Sequence, residues 1–380
     1  MTEKTQLPER DAGASPAQHA WLWPFEATRV VLDAYWKWYA DHAPGSADAP
    51  VEASWTTPNT IALQLPSMRL LDFSQSAEGR PLLVCAPYAL HRALIADFAP
   101  GHSLIEALQK TGVGRLYLTD WRSATPEMRY FSIDTYLSDL NVAVDAIGPP
   151  VDLVGLCQGG WLSLLYAARF PGKVRRLVLA SSPVDTSVPS QLSTMVSSLP
   201  QQGFEALVRQ GDGIISGKYM LQCWSIPFSP HDVEAALQRD LGDQSEEARA
   251  LVDRFARWNR ETLDLPGTYY LQVTNLIFRE NRIADGGFVA LGRTVDLAEV
   301  KVPVFLLAAE DDIVVPRDQA FATRRLLGTP SAWLECASEP CGHLGLFMGC
   351  NALDNSWRRV ARWLQADLGD TSGETPRMSA

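Results

Sequence analysis

The chain of 380 residues is 46% hydrophobic and 20% charged, enough apolar mass for one large domain, or for a domain carrying an insertion. Its 33 Lys and Arg against 44 Asp and Glu give a net charge of -11, and with no basic run this argues against nucleic acid or an anionic membrane as partner. Six cysteines without a CxxC pair argue against a disulfide scaffold and a structural zinc site, so reduced thiols in a cytoplasmic protein are expected. The same chemistry-bearing residues show no metal-ligand spacing, and no metal or cofactor is expected.

In chain order, residues 1–19 are polar and read as a disordered N-terminus without the apolar core of a signal peptide. Residues 20–64 form a helical and extended segment, in which FEATRVVLDAYWKWYA returns Val31, Leu32, Tyr35, Trp36 and Tyr39 to one aromatic helix face. Residues 65–185 alternate short apolar runs with helical patterns: MRLLDF, PLLVCAP, a helix near 103–110, RLYLTDW, a helix near 132–147, VDLVGLC, a helix from 159 and VRRLVLASSP. That alternation predicts an α/β fold with a mostly parallel sheet and helices on both faces.

Residues 186–298 break the pattern and are too many for a loop, so they are expected to fold as a lid inserted over the site. The sheet resumes over residues 299–368 with VPVFLLAAEDD, SAWLECAS and a closing helix near 354–366, followed by a disordered tail at 369–380. No run of about 18 apolar residues occurs, so no transmembrane segment is predicted.

The chemistry concentrates at GLCQGG. An apolar strand precedes it, a helix follows, and Gly155 and Gly159 supply the small neighbours that a strained G-x-nucleophile-x-G turn requires. The residue at the tip is Cys157. An ordinary thiol, with a pKa of about 8.5, is only slightly ionised at neutral pH and needs a base or a helix N-terminus to become a nucleophile. The backbone N–H of Gln158 would face an oxyanion, and a second donor is expected from the backbone of Tyr88 or Ala89, after PLLVCAP.

Of six histidines, His343 follows the last strand in the small-residue loop CGHLGLF, which makes it the proposed general base. The acid should leave the strand VPVFLLAA, where Asp311 and Asp312 both qualify. Asp312 is preferred because Pro316 follows it by four residues, and Asp311 stands as the alternative. The acid's work is to hold the imidazole tautomer and stabilise imidazolium.

These stretches, together with YLTDW, SIDTYLSDLNVAVDAI and RWNRETLDLPGTYYLQVTNLIFRENRI, identify a resemblance over roughly residues 80–365 to the polyhydroxyalkanoate synthase family, the cysteine-nucleophile branch of the α/β-hydrolase superfamily. The resemblance implies an acyltransferase: Cys157 takes a 3-hydroxyacyl group from its coenzyme A thioester, His343 activates thiol and incoming hydroxyl, and Asp312 supports the histidine. It implies hydroxyacyl-CoA and polyester as partners, a polymer granule surface in the cytoplasm, and a homo-oligomer or a second synthase subunit. Trp161, Trp258, Asn259, Tyr269 and Tyr270 are candidates for the acyl pocket, with packing in the core as the alternative role. The chain differs from the family pattern in APYALHRALIADF, which has one proline and His91, in DWRSATPE, and in the bulky Trp161 beside the turn. The alternative activity is hydrolysis, as a polyhydroxyalkanoate depolymerase or thioesterase using the same residues with water as acceptor.

Overall fold

A computed structural model describes residues 54–218, 220 and 246–366, all within one of the chain's two compact units, Ala53–Ala380. The aromatic helix expected at residues 25–40, both terminal segments expected to be disordered, and a stretch of the insertion lie outside the described residues.

Eight strands make one sheet: β1 (Thr60–Gln64), β2 (Met68–Asp72), β3 (Pro81–Cys85), β4 (Arg115–Trp121), β5 (Val151–Leu156), β6 (Val174–Ala180), β7 (Val304–Ala309) and β8 (Leu334–Glu339). Their spatial order is β1-β2-β4-β3-β5-β6-β7-β8. β2 pairs antiparallel with both neighbours, and every pair from β4 to β8 is parallel. The sheet therefore begins at Thr60, ahead of the expected start at residue 65, because the half-exposed β1 lacks the apolar run that marks the inner strands. β5 is buried at every position, as a parallel strand covered on both faces must be. Each large aliphatic side chain in it contributes roughly 1.5–3 kcal/mol by leaving water.

The crossover helices start where the sequence supplies caps. Helix α1 (Leu104–Lys110) opens on Ser103, whose hydroxyl accepts from Glu106 N–H at 2.9 Å. Helix α2 (Ile133–Ile147) opens on a reciprocal Ser132 and Thr135 capping box and ends at Gly148, whose φ of 93° releases the chain toward β5. Helix α3 (Gln158–Arg169) leaves β5 after a single residue, Cys157.

The strand order reverses direction around β3, with β4 on one side and β5 on the other, and such a switch point opens a crevice at the carboxyl ends of the strands. Register brings those ends level: Cys85 pairs with Gly155, Gly155 with Leu179, and Ala180 with Leu307. Among its described residues the insertion between β6 and β7 is mainly helical, with helices at Gln191–Ser198, Gln201–Gln210, Glu246–Arg260 and Gly267–Gln272, a π-helical stretch at Val273–Arg279, and two short antiparallel pairs, Ile214–Ile215 with Leu265–Pro266 and Val289–Ala290 with Arg293–Thr294. The closing helix near residue 354 is likewise split into a π-helical turn, Leu353–Trp357, and an α-helix, Arg358–Gln365.

Candidate active site

Cys157 sits between β5 and α3 with φ 49° and ψ −117°, a conformation that L-residues adopt only where the surroundings enforce it. The enforcement is close packing. A Cβ at Gly159 would lie 2.1 Å from the Cys85 carbonyl oxygen, one at Gly155 would lie 2.4 Å from Gly160 Cα, and one at Gly160 would meet Ser182 Oγ at 1.7 Å. The Cys157 amide is spent on the Ala180 carbonyl at 2.9 Å, which ties the turn to β6.

His343 and Asp312 converge on this turn from the ends of β8 and β7. His343 Nδ1 lies 2.7 Å from Asp312 Oδ2, and both residues are buried. The other carboxylate oxygen, Oδ1, accepts backbone N–H groups from Val314 at 2.9 Å and Val315 at 2.8 Å, so the carboxylate is fixed before it meets the imidazole. Asp311 is exposed and its backbone is tied to Cys341, which removes it from the imidazole's reach. The His343 ring also packs edge-on against Phe347 at 5.4 Å.

With Nδ1 on Asp312, the opposite edge of the imidazole hydrogen-bonds the Cys157 thiol. Burial alone would pull His343 down. The charges of Asp312 and Cys157 and the hydrogen bonds to both outweigh it, and hold the imidazole well above its ordinary value. A protonated imidazole facing sulfur is the arrangement that stabilises a thiolate.

The loop after β3 supplies the facing wall. Ala86 N–H donates to Thr119 Oγ1 at 3.0 Å, and Trp121 Nε1 donates to the Ala86 carbonyl at 2.8 Å. The Tyr88 hydroxyl donates to the Arg122 and Asp264 carbonyls, and the Tyr269 hydroxyl donates to the Tyr88 carbonyl at 3.2 Å. Ala89, Leu90, His91 and Ile95 line a cavity that also has Cys157, Gln158, Val314, Val315, His343 and Leu344 on its walls. Leu192, Met220, Trp258 and Asn259 close it from the insertion.

Trp161, Tyr269 and Tyr270 do not line this cavity, contrary to expectation. Trp161 points from α3 into the core, is fully buried, and its indole N–H has no hydrogen-bond partner among the described residues. Tyr269 packs behind the loop among Tyr88 and Tyr136, and Tyr270 packs against Phe204. Tyr269 and Tyr270, in a lid-like insertion, read as pocket from sequence, but their burial in ring clusters turns them away from it. Sequence reasoning missed His91 as a cavity residue and the two valine amides that hold Asp312. For His91 the available signal was a polar residue inside the apolar run ALHRALIA.

Among the described residues no group of three or more His, Cys, Asp or Glu side chains could hold a metal ion, and no helix is long and apolar enough to cross a membrane.

The sequence pattern of a family described as alpha/beta hydrolase fold matches residues 91–349. The chain is 30% identical over 298 residues to the poly(3-hydroxyalkanoate) polymerase subunit PhaC of Allochromatium vinosum, covering 76% of this chain and 81% of that one. It is also 30% identical over 322 residues to the protein of the same name from Synechocystis, covering 81% and 84%. In structure it is similar to a monoacylglycerol lipase from Paleococcus ferrophilus, with a TM-score of 0.52, 18% identity, and coverage of 78% of this chain and 98% of that one, a likeness of fold.

Proposed function

The chain belongs to the poly(3-hydroxyalkanoate) polymerase family of alpha/beta hydrolases, and from that premise we propose that it builds polyester through a thioester on Cys157. The observation that carries the reading is the relay from Asp312 through His343 to Cys157 on the wall of a mostly apolar cavity.

The proton ledger follows from that relay. The Cys157 thiolate attacks the carbonyl carbon of a 3-hydroxyacyl-coenzyme A, and the tetrahedral oxyanion accepts from the N–H groups of Gln158 and Ala89. The bond from carbon to the coenzyme A sulfur breaks, and the His343 imidazolium gives that sulfur its proton. An acyl thioester on Cys157 and a neutral imidazole remain. A chain-end hydroxyl then loses its proton to His343 as its oxygen attacks the acyl carbon, and Cys157 leaves as thiolate beside a new imidazolium. The new bond is an ester, and the enzyme is back at its starting charge.

Sulfur suits this sequence of steps. Exchange between two thioesters costs little, because nucleophile and leaving group are alike, and the Cys157 thioester stays reactive toward an alcohol. Leu192 and Trp258 on the cavity wall would restrict the water that turns transfer into hydrolysis. The relatives' names as polymerases support transfer over the depolymerase or thioesterase alternative. Those names also call them subunits, which supports a partner subunit for this chain, with the polyester surface as its working environment.

Mass spectrometry after mixing the protein with 3-hydroxybutyryl-coenzyme A tests the reading. The expected result is a hydroxyacyl adduct on Cys157 that grows by repeated units as coenzyme A is released. Coenzyme A release with free 3-hydroxybutyrate alone would establish hydrolysis instead.

A further inference from the structure

Asp185 follows β6, lies in sequence between two residues of the cavity wall, Pro183 and Leu192, and is itself fully buried. A carboxylate so far from water must be matched by donors. Its Oδ1 accepts the Ser187 amide at 3.2 Å, the Ser187 hydroxyl at 2.6 Å and the Asn281 side-chain amide at 3.1 Å. Its Oδ2 accepts the Arg325 guanidinium. Ser187 belongs to the outgoing root of the insertion and Asn281 to its return, while Arg325 belongs to the core beyond β7. One buried carboxylate thus joins both roots to the core.

Asn281 closes the link from the other side. Its Oδ1 accepts the Thr186 amide at 2.9 Å, and the Thr186 hydroxyl donates to the Ile277 carbonyl at 2.7 Å. Asn281 has φ 48°, a left-handed conformation that asparagine adopts more readily than most residues with a side chain. The outgoing and returning segments meet again at the far end of helix Gln191–Ser198, where Arg279 donates to the Val196 and Leu199 carbonyls. At the near end Ser190 and Ser193 form a capping box, and Gln319 of the core donates to the Val188 carbonyl at 2.7 Å. The first turn of this helix carries Leu192, so its place on the cavity wall is fixed through these bonds.

The cavity has a volume of about 80 Å³, room for roughly six water-sized atoms, so a small shift of one wall changes which acyl group fits. We infer that Asp185 is a positioning residue for acyl selection: acting through Ser187, Asn281 and Arg325, it ties the insertion to the core and sets where Leu192 stands against the acyl group on Cys157. This rests on the thioester reading of the site. The relay of Asp312, His343 and Cys157 draws on none of these bonds, so selection and thiol activation are separable.

The test is single-turnover acylation of the full-length protein by 3-hydroxybutyryl-coenzyme A and by 3-hydroxyhexanoyl-coenzyme A, read by mass spectrometry at Cys157. Asp185→Asn keeps the shape but sets an amide donor among donors, and should raise the ratio of hydroxyhexanoyl to hydroxybutyryl acylation about tenfold, the low end of what one methylene is worth in an apolar pocket. The rate of iodoacetamide labelling at Cys157 should stay at its wild-type value. Arg325→Gln removes the cation at an exposed position, should move the ratio the same way, and serves if Asp185→Asn fails to fold. Arg325→Lys restores the charge and should return the ratio towards wild type. A wild-type ratio in folded Asp185→Asn, or in Arg325→Gln where that variant serves, would overturn the inference. So would an equal loss for both thioesters, which marks a purely structural role. Absence of any Cys157 adduct in the wild-type protein is a different failure, since it removes the thioester reading and this inference with it.

Discussion

The Tyr269 hydroxyl donates to the main-chain carbonyl of Tyr88 across 3.2 Å, inside a ring cluster in which the two rings are 5.1 Å apart. In a planar trans peptide the N–H points opposite to the carbonyl, so a Tyr88 carbonyl held on Tyr269 leaves the Ala89 N–H facing the other way, as its proposed oxyanion role requires. Ala89 itself lines the cavity beside Cys157 and Gln158. Tyr269→Phe removes the hydroxyl and keeps the ring. Its kcat should fall about tenfold, part of the 10²–10³ that a lost oxyanion donor costs, while KM holds. Steady-state coenzyme A release gives both constants, and a wild-type kcat would separate Tyr269 from the chemistry.

Asp312 and Asp311 are adjacent in sequence and opposite in setting. Asp312→Asn keeps the shape but presents an amide where two valine N–H groups and an imidazole need acceptors, and turnover should drop by about 10⁴, as when a triad acid becomes an amide. Asp311→Asn, at an exposed position, should turn over near the wild-type rate. Initial rates for the two variants, normalised to folded protein by circular dichroism, decide between the carboxylates.

The raised pKa of His343 links stability to pH. A group held above its unfolded value, about 6.5 for histidine, stabilises the fold fully below that value, and the contribution is lost as pH rises through the higher folded value. Wild-type Tm should therefore decline on the alkaline side of neutrality. In Asp312→Asn, which lacks the charge beside the ring, that decline should shrink, and thermal melts from pH 6 to 9 provide the comparison. Equal slopes would contradict the imidazolium assignment.

Thiol reactivity should separate the cysteines. Burial pushes Cys85 up to about 12, and burial with the charges of Glu339, Asp312, Asp311 and Glu310 pushes Cys341 up to about 12. At pH 7 both remain protonated and slow. Cys157, half-buried against a protonated imidazole, should take iodoacetamide first, and peptide mapping after brief exposure gives the order. Labelling of Cys341 ahead of Cys157 would overturn the assignment of Cys157 as the nucleophile.

Packing at the turn gives a prediction that needs no assay of mechanism. Gly159→Ala would push a methyl to within 2.1 Å of the Cys85 carbonyl oxygen, where backbone must move, so soluble yield and activity should both collapse. Gly172→Ala, with open space around the new carbon, should leave both intact.

The turn at Cys157 was legible because three signals coincide there: an unbroken apolar strand, two glycines at fixed spacing and a helix pattern. His343 followed from chain order and the preference for Asp312 from its spacing to Pro316, signals that survive without knowledge of packing. The alternation of runs gave the strands from β2 to β8. β1 escaped because an edge strand with exposed positions has no such run. Side-chain direction was the larger gap. Trp161, Tyr269 and Tyr270 have the composition of a pocket, but which way each ring points depends on tertiary neighbours far along the chain, such as Tyr88 and Phe204.

The parallel pairing of β6 with β7 and of β7 with β8 has a consequence during synthesis. Cys157 emerges from the ribosome with its strand, but the imidazole that arms it is encoded nearly half the chain later and can arrive only once β7 and β8 have docked. At about 5–20 residues per second the nascent chain carries its thiol without a base for on the order of ten seconds or more. Contact order thus acts as a safety catch: the sulfur gains its reactivity in the same step that completes the sheet and closes the cavity around it.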